Sequence, residues 1–292
     1  MAQQWSGQTG GTHGMQKALV AIFRHVDVRV MYGVMNLWLV WYLIVRPSAT
    51  RAAYRFHRRL GRSRLAAAFA TYGSFYQFGE AIIDRFAVYA GRTFDYEVEH
   101  RERFYNHAHD KEGFILLFSH VGNSEMAAYS LTTPDKRLNI LAFGGESPVV
   151  MEQRAKVLAQ NNMGMITVWP GDMSHIYRIN EVLQNGEVLA IAGDRKMSEQ
   201  DKTITCTILG GEAKLPAGPF MLSASLKRPI ILCFVIKEKW NKYHIYTEEL
   251  QVNTSLPRQA QPADLAQQYA ARIEQMTRQH PYQWFNFYDF WQ

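Results

Sequence analysis

The spacing of apolar positions changes along the chain, and the change divides it. Residues 31–45 read Met-Tyr-Gly-Val-Met-Asn-Leu-Trp-Leu-Val-Trp-Tyr-Leu-Ile-Val, an almost unbroken apolar run bounded by Arg29 and Arg46. Across 47–90 apolar residues recur three and four apart (Leu65, Phe69, Tyr72, Phe75, Phe78, Ile82, Phe86), the period of an amphipathic helix, and no proline interrupts it. Beyond Gly91 short apolar runs of strand length alternate with helical stretches. Strands are predicted at 95–99, 113–119, 138–143, 165–169 and 188–192, at 203–209 as an edge, and as a pair at 229–236 and 243–249. Helices are predicted at 124–131, 149–161, 173–184, 219–226 and 262–278.

Strands separated by helices of this length imply right-handed crossovers. The expected fold is therefore α/β, a mostly parallel central sheet flanked by helices, with an amino-terminal helical, membrane-associated segment. A boundary near residue 90 separates an amino-terminal helical region, 1–90, with its hydrophobic anchor at 31–45, from a domain at 91–292. There is no internal repeat or low-complexity tract.

Composition adds limits. The chain has 292 residues, of which 47% are hydrophobic and 13% aromatic, so it can bury a real core and is neither disordered nor collagen-like. Its two cysteines, Cys206 and Cys233, lie inside apolar, β-rich runs, which excludes a disulfide framework and fits a reducing compartment.

The formal net charge of +6 is concentrated. Between Val28 and Gly79 stand eight arginines (Arg29, Arg46, Arg51, Arg55, Arg58, Arg59, Arg62, Arg64) and no acid, beside the most hydrophobic window of the chain. A nucleic-acid binder more often spreads such charge over its folded domain, so nucleic acid is not an expected partner. Fifteen helical residues span roughly 22 Å, short of the ~30 Å hydrocarbon core. With two Trp, two Tyr and flanking arginines, 31–45 suits a helix lying in or dipping into a membrane surface, although a buried aromatic helix has the same composition. The run starts too far along the chain for a secretory signal and no small-residue cleavage site follows it. The expected location is the cytoplasmic side of a membrane, where anionic lipids attract the arginines.

In a parallel sheet the reactive residues belong just past the carboxyl ends of strands. The predicted strand 113–119 runs into His120-Val-Gly-Asn-Ser-Glu125 and then a helix. Gly122 and Asn123 allow a tight turn, and that turn can fold Glu125 back to hold one imidazole nitrogen while the other faces a substrate hydroxyl, a base and its orienter. N–H groups of the following helical turn could stabilise an oxyanion. Taken alone, a His and a Glu at this spacing are a weak signal, since a lone histidine at a strand end is more often structural.

The ordered set of motifs adds specificity. His120-x4-Glu125, Val188-Leu-Ala-Ile-Ala-Gly-Asp-Arg195, Lys214-Leu-Pro-Ala-Gly-Pro219, Lys227-Arg-Pro-Ile-Ile-Leu232 and the ending His280-Pro-Tyr-Gln-Trp284 resemble the bacterial lipid A biosynthesis acyltransferase family, within the lysophospholipid and glycerol-phosphate acyltransferase group. The resemblance covers about residues 15–292. It implies transfer of a fatty acyl group from a thioester, on acyl carrier protein or coenzyme A, to a hydroxyl or amine of a membrane lipid or lipid-like acceptor, at the cytoplasmic face of the bacterial inner membrane. The donor is then a substrate, and no cofactor or metal is implied. By similarity His120 is the general base and Glu125 its partner. Asn123, Asp194 and Arg195 become candidates for binding the acceptor, with a surface ion pair the other reading of Asp194 and Arg195. The family's arginine and Asn-Pro block is loosely echoed by Gly145-Glu-Ser-Pro-Val149 and Arg154, and relatives in the group acylate other lipids or polyene pigments. A non-catalytic lipid-binding protein that keeps the fold is the alternative.

A thioester already carries a good leaving group, so the chemistry needs a base more than a nucleophile. None of the three Gly-x-Ser openings has a glycine two residues later, so the hydrolase elbow is missing. Walker A, Gly-x-Gly-x-x-Gly and His-Glu-x-x-His patterns are missing too. His107-Ala-His109-Asp110 reads as a solvated loop rather than a metal site. The last twelve residues hold seven aromatics, suited to core packing or to an interfacial belt.

Overall fold

The computed structural model describes residues 13–131, 133, 135–169, 172, 174–196 and 201–291. Helices α1 (His13–Phe23), α2 (Val28–Val45), α3 (Pro47–Arg59) and α4 (Arg64–Tyr89) come first. The helix expected at 31–45 starts earlier because Asp27 caps it, its carboxylate accepting the Arg29 N–H at 2.8 Å. The helical pattern after Pro47 is broken at Gly61, whose φ of 85° is a left-handed turn that glycine adopts without strain. The Ser63 hydroxyl then accepts the Ala66 N–H at 3.3 Å and opens α4.

The remaining chain alternates. First come β1 (Asp95–Glu99), α5 (Arg101–His109), β2 (Phe114–Gly122), a 3₁₀ turn (Ser124–Tyr129), β3 (Leu138–Phe143), α6 (Pro148–Gln160) and β4 (Met163–Val168). Then follow α7 (Ser174–Gln184), β5 (Val188–Ala192), β6 (Thr203–Ile208), β7 (Gly211–Pro216), α8 (Gly218–Leu226), β8 (Ile230–Lys239), β9 (Lys242–Leu250) and α9 (Gln261–Gln279). Seven strands form one sheet in the order β1-β9-β8-β2-β5-β3-β4. All its pairings are parallel except β8 with β9. β2 and β5 are central and covered on both faces, which is why they read as continuous apolar runs.

One face of the sheet packs Ile115, Leu117 and Val121 of β2 with α7, α8, α9 and the β6–β7 hairpin; the other packs Phe114 and Leu116 with α1, α2, α4, α5 and α6. The fold is thus a mostly parallel sheet flanked by helices. Two local expectations change. Residues 203–208 leave the main sheet and pair antiparallel with β7, because Leu209 (φ 50°) and Gly210 (φ 70°) make a two-residue turn with both φ positive, the geometry that suits hairpin twist. His107 and His109 stand on α5 rather than in a loop, since Phe104 and Ala108, four apart, bury one side of that helix.

α2 keeps only Val28, Tyr32 and Leu39 buried, while Leu37, Trp38, Trp41 and Ile44 are exposed. By length and composition it could cross a membrane, and unlike a core helix it is mostly uncovered.

Candidate active site

β2 and β5 run in parallel register, with Phe118 opposite Ala192. Two residues beyond that pair stand His120, still in β2, and Asp194, just past the end of β5, so the register brings them side by side. Asp194 Oδ1 accepts the imidazole Nδ1–H at 2.7 Å, and Oδ2 accepts the backbone N–H of His120 at 2.8 Å. The Asp194 side chain is buried at 1% exposure, whereas His120 keeps 29%. Burial pushes the Asp194 carboxyl up, but the attraction of His120, its two hydrogen bonds and nearby Arg195 outweigh that and hold the carboxyl below the usual range. An ionised Asp194 has no proton to give, so Nδ1 carries the hydrogen of this bond.

The turn after His120 is fixed by glycine. Gly122 has φ 77°, and a Cβ there would lie 2.0 Å from the Val235 carbonyl of β8. This close approach lets the Asn123 N–H reach the same carbonyl at 2.7 Å.

Glu125 is not positioned as expected. The imidazole is held by Asp194, and the Glu125 carboxylate is held by Arg85 of α4 at 2.7 Å, Arg154 of α6 at 3.2 Å and the Tyr89 hydroxyl at 2.6 Å. The 3₁₀ turn that starts at Ser124 turns the carboxylate toward the helices that cover the sheet rather than back to the strand end. Burial pushes the Glu125 carboxyl up, yet Arg154 and Arg85, with hydrogen bonds from Arg154 and Tyr89, bring it down to about 2. Two guanidiniums meet this carboxylate beside the histidine turn, and Glu146 also acts on Arg154.

The three expected acceptor-binding residues are engaged within the protein. The Asn123 amide donates to the Ala81 carbonyl at 3.1 Å and to the Tyr243 hydroxyl at 3.3 Å, bracing the turn against α4 and β9. Asp194 holds the histidine, not a surface partner. Arg195 donates through Nη2 to the Phe285 carbonyl at 3.0 Å and lies 5.6 Å from the Tyr288 ring centroid.

Arg85, Tyr89 and the buried network behind Asn123 were not foreseen. In that network the Lys237 ammonium donates to Asp84 and to the Tyr32 hydroxyl, each at 2.6 Å, and Tyr32 and Tyr243 donate to Asp84. It fastens α2 to the sheet next to the histidine turn. The signal was present in α4, where Glu80, Asp84 and Arg85 interrupt an otherwise uncharged helix after its first residue.

His107 pairs with Glu249 and His109 with Asp135, each at 3.2 Å. Among the described residues, Glu97, Glu238 and His244 come close enough to share an ion, but the Lys242 ammonium already lies 2.5 Å from Glu97 and 3.2 Å from Glu238.

No curated protein matches the chain. The model of the bacterial lipid A biosynthesis acyltransferase family matches residues 68–292, from the first turns of α4 to the end of the chain, and the protein belongs to that family.

Proposed function

We propose that this acyltransferase moves a fatty acyl group from a thioester donor, acyl carrier protein or coenzyme A, to a hydroxyl or amine of a membrane lipid, with His120 as general base. The observation that carries the reading is the 2.7 Å bond between His120 Nδ1 and Asp194, which fixes the ring and its tautomer. Nε2 takes the acceptor's proton as the acceptor atom attacks the thioester carbonyl. The imidazolium then returns that proton to the departing thiolate. Asp194, rather than Glu125, stabilises the imidazolium between these steps. Glu125 locks Arg85 and Arg154 in place beside the turn.

The exposed apolar side of α2 supports docking at a membrane surface, with its Trp residues in the interface and the acceptor lipid in the same plane. An anionic cytoplasmic leaflet would suit the neighbouring arginines, although Arg55, Arg59 and Arg62 already contact Asp289, Trp291 and Tyr282 of the tail. The test is to offer the purified full-length protein acyl carrier protein thioester and acyl-coenzyme A separately, with a phosphorylated disaccharide lipid in mixed micelles, and to analyse the lipid by mass spectrometry. The expected product has gained one acyl chain from one of the two donors. An unchanged lipid with both donors would contradict the reading.

A further inference from the structure

The carboxyl-terminal segment after α9 runs directly against the histidine turn. The Phe285 N–H donates to the His120 carbonyl at 2.9 Å, the Gly122 N–H donates to the Gln283 carbonyl at 2.6 Å, and Val121 and Trp284 form an antiparallel bridge between them. The same segment reaches the neighbouring strands. The Gln283 carboxamide accepts the Lys237 N–H at 2.9 Å and donates to the Lys237 carbonyl at 2.8 Å on β8. The Tyr288 hydroxyl donates to the Asp194 carbonyl at 3.3 Å, and the Phe285 carbonyl accepts from Arg195. His120 and Asp194 stand where the sheet ladder runs out and backbone groups need other partners. The segment supplies them to both residues at once.

Its other side is anchored. Trp284 meets Phe56 of α3 edge-on with centroids 4.9 Å apart, Phe287 stacks on Phe75 of α4 at 4.3 Å, and Asp289 pairs with Arg55 at 2.7 Å. The segment therefore lies between the strand ends and α3 and α4, and Trp284 and Phe285 are buried.

We propose that residues 283–288 are a positioning strap for the proposed base. Gln283 and Tyr288 are its positioning residues: the Gln283 carboxamide ties the strap to Lys237 of β8, and the Tyr288 hydroxyl ties it to the Asp194 carbonyl. This rests on the reading of His120 as the base. A misplacement of about 1 Å in a reacting group can cost on the order of 100-fold in rate, so loosening the strap should act on kcat.

The test uses full-length Gln283→Leu, Tyr288→Phe, the double variant and His120→Ala, all in detergent micelles, with far-UV circular dichroism as the check of folding. The double variant should lose about tenfold or more in kcat, with KM for the donor within about twofold. The acid limb of its kcat profile should move to lower pH, because a less well-held carboxylate stabilises the imidazolium less. Tyr288→Phe removes one oxygen atom and should show a smaller shift in the same direction, which keeps the idea testable if Gln283→Leu fails to fold. A folded double variant, or a folded Tyr288→Phe alone, with wild-type kcat and an unmoved acid limb overturns the strap. So does a fall in kcat with the acid limb unmoved, which is what general loosening would give. A folded, fully active His120→Ala would instead overturn the base, whatever the strap variants do.

Discussion

His120 and Asp194 stand 74 residues apart in sequence and meet at 2.7 Å because the parallel strands that carry them are in register. The ladder extended by two residues is enough to create the contact. Asp194→Asn keeps the shape of the side chain but removes the charge that, in the proposed mechanism, stabilises the imidazolium, and offers the ring an amide whose orientation can favour the wrong tautomer. The expected result is a fall in kcat of about 10²- to 10⁴-fold with a native circular dichroism spectrum. Steady-state kinetics of the folded variant checks it.

Glu125 gives a prediction about stability rather than rate. Its carboxyl lies between Arg85 and Arg154 and is lowered from 4.5 to about 2. A group depressed by folding contributes stability that is present above its unfolded value and lost as pH falls through the folded one. The window is therefore from about 4.5 down to about 2. Glu125→Gln removes the carboxylate that pairs with two half-buried guanidiniums, and should cost about 3 kcal/mol at pH 7. In urea titrations the gap between wild type and variant should narrow as pH falls through that window. A gap that stays constant with pH would contradict the assignment.

Much of the sheet was legible, and the reason is burial. Central parallel strands such as β2 and β5 are apolar on both faces, so the runs 114–118 and 188–192 stand out against polar surroundings. The β6–β7 hairpin was half seen, because Leu209 takes a positive φ that its residue type does not advertise. At the site the position of His120 was legible from its strand, but its partner was not. Glu125 is five residues away, and local proximity favoured it. Asp194 becomes a neighbour only once β2 and β5 are known to be adjacent. The part of the tail at the site was equally hidden, since aromatic composition does not reveal that Phe285 and Gln283 bond to the backbone at His120 and Gly122.

The proposed docking through the uncovered side of α2 is tested on vesicles. Trp38 and Trp41 are 66% and 59% exposed, three residues apart on one side of the helix. Replacing both with Glu should weaken partition into vesicles by about 1–2 kcal/mol per side chain, or roughly five- to thirtyfold each. Neither residue belongs to the three buried positions of α2, so the variant should keep its melting temperature. Vesicle co-sedimentation reads the effect, and unchanged partition would remove α2 from the docking surface.

The central claim is that His120 takes the acceptor's proton. Single-turnover acyl transfer by full-length His120→Ala, folded by circular dichroism and saturated with donor and acceptor, tests it most directly. The expected rate is lowered by about 10²- to 10⁴-fold, with the affinity for both substrates kept. A folded variant that transfers the acyl chain within a few-fold of the wild-type rate would contradict it.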